Sequence, residues 1–315
     1  MALDPIVRKL LDAAAAAGRP ELHTMAPVDA RKMMRDTRAP VQGPVLDTVA
    51  STDRTIPGPA GEIPVRIYRP KSAAADAALP ALVYFHGGGW VIGDIETHHT
   101  VCQRLAAEGD IVVVSVDYRL APEHAFPAAV DDCWAATCWV ARNAGAIGVD
   151  GSKVAVGGDS AGGNLAAVVA LMARDRGGVT VGFQLLIYPA VDALADTGSM
   201  ARNAKGYLLT TEAMRWFYDH YVPNAADRDD WRVSPLRART LANLPPAMVF
   251  TAGFDPLRDE GVAYARRLAH DGVVVEQIDF SSLIHGFFGM PGPLPQARRA
   301  LAMAGRAVRE ALTGG

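Results

Sequence analysis

Along this chain hydrophobic residues fall into two rhythms. Short, nearly unbroken apolar runs recur at "ALVYF" (81–85), "IVVVSV" (111–116), "VAVGG" (154–158), "FQLLIY" (183–188), "AMVFTAG" (247–253) and "VVVEQIDF" (273–280). Runs of that length, rich in β-branched residues, read as strands. Amphipathic stretches of helical length lie between several of them, at 97–107, 128–143, 161–174 and 259–270. A strand that is apolar on both sides needs shelter on both sides. The alternation therefore predicts an α/β fold, with a mostly parallel central sheet flanked by helices.

Three regions depart from this rhythm. Residues 1 to about 45 look helical. Asp4-Pro5 reads as an N-cap followed by proline at the first helical position, and Leu3, Ile6, Val7, Leu10 and Leu11 form a stripe behind it. "PVDARKMMRD" predicts a second helix from Pro27. In "ASTDRTIPGPAGEIPVRIYRP" (50–70), Gly and Pro punctuate two extended runs, which predicts a hairpin. The segment from about 190 to 235 carries Tyr207, Trp216, Phe217 and Tyr221 in helical rather than strand patterning, and predicts an excursion over the sheet.

Composition narrows the picture mainly by exclusion. The 315 residues are half hydrophobic and 21% charged, with a net charge of −3, as expected of a globular protein with a sizeable core. No block of like charge argues for nucleic acid or anionic lipid, and no uncharged apolar run reaches the roughly 18 residues of a membrane span. Cys133 and Cys138 lie on one predicted helix, five residues apart and so roughly 140° around its axis, too divergent to bridge. With Cys102 they read as buried thiols, with no histidine at metal-ligand spacing, so no metal is expected. "LLDAAAAAG" (10–18) has a signal-like look, but Asp4 and Asp12 fall where such a segment lacks acid. A cytoplasmic protein is expected.

The chemistry enters at "VAVGGDSAGGNL" (154–165). Gly158-x-Ser160-x-Gly162 follows a predicted strand and opens a predicted helix, the context of a nucleophile elbow. A serine at the apex of so sharp a turn is strained, and side chains two residues either side would collide across it. The second element is "YFHGGGWVIG" (84–93), also directly after a strand. Three glycines let the loop turn its N–H groups inward, as the oxyanion hole of lipases and esterases does. Gly88, Gly89 and the N–H of Ala161 are the expected donors. No Lys-Ser/Thr follows as a P-loop requires. The two motifs together point to a serine hydrolase.

In such folds an acid and then a histidine follow the serine in chain order. His270 closes a predicted helix and reads as structural, whereas His285, in "SSLIHGFF", follows the last predicted strand and is the expected base. Asp255, two residues past a strand and before Pro256, is the expected acid and the expected N-cap of the next helix. Asp192 is the weaker alternative. Asp259 and Glu260 are expected to face water or to stabilise that helix's first turn. His98 and His99 are expected to cap a helix or lie solvated, with the pocket rim as the alternative.

With these residues in place, the chain resembles the hormone-sensitive-lipase-like α/β-hydrolases, the bacterial family IV esterases. The likeness is carried by His86-Gly87-Gly88-Gly89-Trp90, "DYRLAPEHAFPAAVDD" (117–132), Gly158-Asp159-Ser160-Ala161-Gly162-Gly163, "DPLRDEG" (255–261) and "HGF" (285–287). The resemblance implies cap helices over residues 1–45, a catalytic domain over 46–315 and a cap insertion near 190–235. It implies hydrolysis of short- to medium-chain acyl esters through an acyl-enzyme, without a cofactor, the partner being a small-molecule ester. An amidase or lactonase would use the same triad. A non-catalytic receptor of this fold, like the plant gibberellin receptors, has the histidine replaced, whereas His285 is present here. Trp90, Met33, Met34, Tyr207, Trp216 and Phe217 are the expected pocket residues. Oligomeric state stays open, with a homodimer through an edge strand near the C-terminus as one outcome. Ser282 stands where the family commonly has glycine, which bears on the shape of the histidine loop.

Overall fold

The computed structural model describes residues 2–314. Its strands are β1 (Val49–Gly58), β2 (Gly61–Pro70), β3 (Leu79–Phe85), β4 (Val112–Val116), β5 (Val149–Asp159), β6 (Val181–Ile187), β7 (Ala247–Phe254) and β8 (Val275–Ile284). They form one sheet in the order β1-β2-β4-β3-β5-β6-β7-β8. The expected hairpin is β1 and β2, paired antiparallel from Val49 opposite Pro70 to Gly58 opposite Gly61, with Pro59-Ala60 at the turn. β2 meets β4 antiparallel, and every later pairing is parallel.

The helices are α1 (Pro5–Ala16), α2 (Pro27–Arg38), α3 (His99–Gly109), α4 (Ala128–Arg142), α5 (Ala161–Arg176), α6 (Gly198–Arg202), α7 (Thr211–Tyr221), α8 (Arg258–His270) and α9 (Pro295–Thr313). Side chains of β3 alternate between the two faces of the sheet. Ala81, Val83 and Phe85 join the core under α4, α5 and α8, while Leu82 and Tyr84 join the core under α3 and α9. β3 is therefore buried along its whole length, which is why it reads as an unbroken apolar run. α9 lies beyond the helices the hydrophobic pattern predicts, although Pro295 at its start and the spacing of Ala297, Leu301, Ala304, Val308 and Leu312 mark it. It crosses α3 so closely that a Cβ at Gly305 would lie 2.8 Å from the amide nitrogen of Gly109.

The N-terminal helices part company. α1 is capped by Asp4, whose carboxylate accepts from the Ile6 amide at 2.7 Å. Its apolar stripe packs on the α3–α9 side, and the Asp4 N–H donates to the Ser282 carbonyl of β8. α2 instead packs through Ala30 and Met34 on the opposite core, with α7. The expected excursion lies between β6 and β7 and includes α6 and α7. Its two ends are joined by the Leu236 N–H donating to the Val191 carbonyl at 3.0 Å. No helix among the described residues is long and apolar enough to cross a membrane, and Cys102, Cys133 and Cys138 are free and buried.

Candidate active site

β5 ends at Asp159, α5 begins at Ala161, and Ser160 occupies the turn between them at φ 57° and ψ −117°. A non-glycine residue adopts that conformation only when its surroundings force it. Here the Ser160 N–H donates to the Ile187 carbonyl of β6 at 2.9 Å, and its own carbonyl accepts from Asn164 and Ala190. A Cβ at Gly158 would collide with the backbone of Gly162 and the carbonyl of Phe85, and one at Gly162 with the same carbonyl. The flanking glycines are required by this close approach of two chain segments. Asn164 ties the turn further, its amide donating to the carbonyls of Ala190 and Val233, each at 2.7 Å.

His285 follows β8 directly. Its Nε2 stands 2.9 Å from Ser160 Oγ and its Nδ1 2.7 Å from Asp255 Oδ2. A carboxylate only accepts, so Nδ1 carries the proton and Nε2 is left to accept from the serine hydroxyl. Asp255 is fully buried, while Ser160 and His285 are each 8% exposed. Three side chains far apart in sequence thus form one hydrogen-bonded line at the carboxyl edge of the sheet, the edge where α/β folds hold ligands. Asp192 stands apart from it, paired with Arg237 at 2.7 Å. Ser282 lies within β8, where extended backbone suits any residue.

The glycine loop runs beside this line. Gly88 and Gly89 have φ of +124° and +58°. A Cβ at Gly88 would strike the Ile92 carbonyl, and one at Gly89 would strike the Phe217 ring. Phe217 therefore lies directly over the loop. The amides of Gly88 and Gly89 have no acceptor among the described residues, and the Ala161 amide, first in α5, has no intrahelical partner by construction. Three N–H groups are thus left without a backbone acceptor among the described residues, two on the glycine loop and one at the first turn of α5. His86 is stacked on Tyr118 at 4.3 Å; burial pushes its imidazole down to about 4.

Several expectations need correction. Asp255 does not cap α8. It accepts from the Leu257 N–H at 2.8 Å, one turn before the helix begins at Arg258, because Pro256 and Leu257 form a separate turn. Glu260 does not face water: it is buried and accepts from the Val191 N–H at 2.7 Å, and burial raises its carboxyl well above the usual range. His98 is neither a side-chain cap nor solvated. It is buried, 3.2 Å from Asp159 Oδ1. Trp90 does not line an open pocket, because its ring is wholly buried, stacked on Tyr221 at 4.4 Å.

The other expected pocket residues are spread over α2 and the excursion between β6 and β7, which pack together as a canopy. Tyr207 packs on Phe254 at 4.9 Å, and Trp216 lies half-buried, edge-on to Phe217 at 5.2 Å. Met33 and Met34 are half-buried on α2. Sequence reasoning missed two residues that brace the line. Asn203, after α6, donates to the Asp255 carbonyl at 3.0 Å, and Arg38 of α2 donates to the carbonyl of Gly286, beside His285, at 3.1 Å. Neither sits in a motif, and only the packing of the canopy brings them there.

Comparison with known proteins follows the same lines. A protein-family model described as an alpha/beta hydrolase fold matches residues 82–289. The chain is 44% identical to Esterase LipI of Mycobacterium tuberculosis, over 99% of this chain and 96% of that one. It is 47% identical to Carboxylic ester hydrolase LipN of the same organism, over 84% of this chain and 70% of that one. An ester hydrolase from the metagenome of Lake Arreo, solved in complex with a derivative of bipyridine phosphonate, superposes with a TM-score of 0.92 at 45% identity, covering 98% of each chain.

Proposed function

The chain belongs to the α/β-hydrolase-fold family and is a serine carboxylic ester hydrolase, and from that premise we propose that Ser160, His285 and Asp255 perform the chemistry. His285 Nε2 takes the proton of Ser160 as Oγ attacks the ester carbonyl. The oxyanion of the tetrahedral intermediate is held by the amides of Gly88, Gly89 and Ala161, with donors worth about 2.7–4 kcal/mol each to the transition state. His285 returns the proton to the departing alkoxide, and the alcohol leaves. Water then enters, loses its proton to Nε2 and adds to the acyl-enzyme, whose collapse frees the acid and restores Ser160. Asp255 holds the imidazole in the tautomer that makes Nε2 the base and stabilises the cation that forms.

The observation that carries this reading is the unbroken line from Asp255 through His285 to Ser160, at 2.7 and 2.9 Å. Its test is an alkyl phosphonate label. Mass spectrometry should find the adduct on Ser160, and Ser160→Ala should lose turnover by about 10⁵- to 10⁶-fold while melting at the wild-type temperature. A Ser160→Ala variant that hydrolyses esters at the wild-type rate would dismiss the assignment.

The finer points belong to the same proposal. We place the acyl preference at short to medium chains, with Phe217 over the glycine loop as one wall of the site. Turnover across esters of increasing length, with an amide and a lactone alongside, measures it. β8 is a terminal strand of the sheet and offers an edge for a second copy, which sedimentation of the intact chain tests. Three unpaired buried thiols fit a reducing, cytoplasmic setting.

A further inference from the structure

One buried ionic group near Ser160 takes no part in the line just described. Asp159, the last residue of β5, has its side chain 5% exposed, and His98 beside it 1%. Asp159 Oδ1 accepts from the Tyr84 hydroxyl at 2.8 Å and from the Gly87 N–H at 3.0 Å, and His98 Nε2 lies 3.2 Å away. His98 Nδ1 stands 3.0 Å from the Thr97 hydroxyl, whose proton goes to the Asp94 carbonyl at 2.8 Å. A carboxylate only accepts, so Nε2 is the donor to Asp159, and the Thr97 hydroxyl holds the other side of the ring. Burial alone would raise the Asp159 carboxyl; the charge and hydrogen bond of His98, with the charge of Arg38 and the Tyr84 hydrogen bond, together hold that carboxyl well below the ordinary range.

Gly87 opens the loop that presents the amides of Gly88 and Gly89. A Cβ at Gly87 would lie 2.5 Å from Asp159 Oδ2 and 2.8 Å from the Asp159 carbonyl oxygen, so the loop is pressed onto the residue next to the nucleophile. One carboxylate thereby touches both halves of the site. Its charge is also a hazard. An uncompensated carboxylate one residue from Ser160 would oppose the negative charge that develops on the substrate oxygen.

We propose that Asp159 and His98 act as a positioning pair for the oxyanion hole. Asp159 clamps Gly87 to the nucleophile turn and so sets the distance from the Gly88 and Gly89 amides to Ser160, while His98 cancels the charge of the clamp. The inference rests on the reading of those amides as oxyanion donors.

Three variants test it: Asp159→Ala, His98→Gln, and His98→Gln combined with Asp159→Asn, in which an amide pair replaces the ionic one. The readouts are kcat and KM on a short p-nitrophenyl ester, and inhibition by an alkyl boronic acid, whose tetrahedral adduct carries the oxyanion. Asp159→Ala and His98→Gln should each lower kcat by roughly 10- to 100-fold with KM within about threefold, and weaken the boronate by the same factor as kcat. The double variant should regain about tenfold over His98→Gln alone. A folded Asp159→Ala with kcat within about threefold of wild type would overturn the pair's role. So would a double variant no better than His98→Gln, a comparison that holds even if Asp159→Ala does not fold. Phosphonate labelling of wild-type Ser160 keeps the outcomes apart, because its absence would strike the underlying mechanism instead.

Discussion

Around Ser160 the chain touches itself backbone to backbone, whereas the helices above hold on through side chains. In the floor, Gly158 and Gly162 lie against the Phe85 carbonyl, and Gly88 lies against that of Ile92. No side chain can be exchanged or trimmed there, because none is present. In the canopy, Arg31 of α2 donates to the carbonyls of Val91 and Ala121 and, as a fork, to both oxygens of Glu123. Trp90 rises from the glycine loop to stack on Tyr221 of α7. Backbone contacts tolerate no drift, while side-chain contacts can be rebuilt one by one. The floor is therefore suited to fixed reaction geometry, while the canopy can change without moving it.

Substitutions can strain this contrast from either side. The largest effect is expected at Asp255→Asn, which keeps the shape of the floor but not the tautomer of His285. Turnover should fall about 10⁴-fold with little change in melting temperature. A small loss would mean that another group orients the imidazole. Next comes Gly88→Ala, which sets a Cβ against the Ile92 carbonyl at a φ of +124°. Here kcat should drop about 10²- to 10³-fold, with melting lowered as well. A variant with normal kcat would show that the floor can give way.

Arg31→Ala should behave in the opposite manner, costing stability rather than rate. Charge-assisted hydrogen bonds are worth about 1.5–3 kcal/mol when sheltered, less where solvent reaches them, and kcat should stay within about twofold. The hydrogen bond from Arg31 holds the Glu123 carboxyl down at about 2, below the ordinary glutamate value of about 4.3. A depressed acid lends stability that is fully present above its unfolded value and lost as pH falls through the folded one. The variant should therefore melt earlier at pH 7, by a margin that narrows as pH falls towards 2 and leaves only the part owed to the Val91 and Ala121 carbonyls, which thermal scans at both values would check.

The smallest effect is expected at Asp117, half-buried near the seam between α2 and the sheet. Burial, and then the neighbouring Asp94, pushes its carboxyl up to about 6. The sign reverses, because a raised acid costs stability once it ionises in the folded state. Asp117→Asn should raise the melting temperature slightly at pH 8, with the gain shrinking as pH falls through about 6 and vanishing near the ordinary value of about 4. An equal gain at every pH would point to packing rather than charge.

Much of this was legible in the chain itself. The strands are apolar because they are buried on both faces, and the hairpin is punctuated by Gly and Pro. The glycines around Ser160 advertise close approach of the backbone. These are local demands, so they leave local marks. Chain order then narrowed the choice of base and acid to His285 and Asp255, which the structure brings into line with Ser160.

What tertiary structure alone decided are the partners of polar and aromatic groups. Nothing near His98 in sequence announces Asp159, which lies 61 positions away. Nothing near Glu260 announces the amide of Val191, or near Trp90 the ring of Tyr221. Asn203 and Arg38 reach the ends of the Asp255–His285 line from segments with no motif at all. A hydrophobic face needs only to be covered, and many neighbours serve. A buried charge, donor or ring requires one partner at one distance, and only the folded chain supplies it.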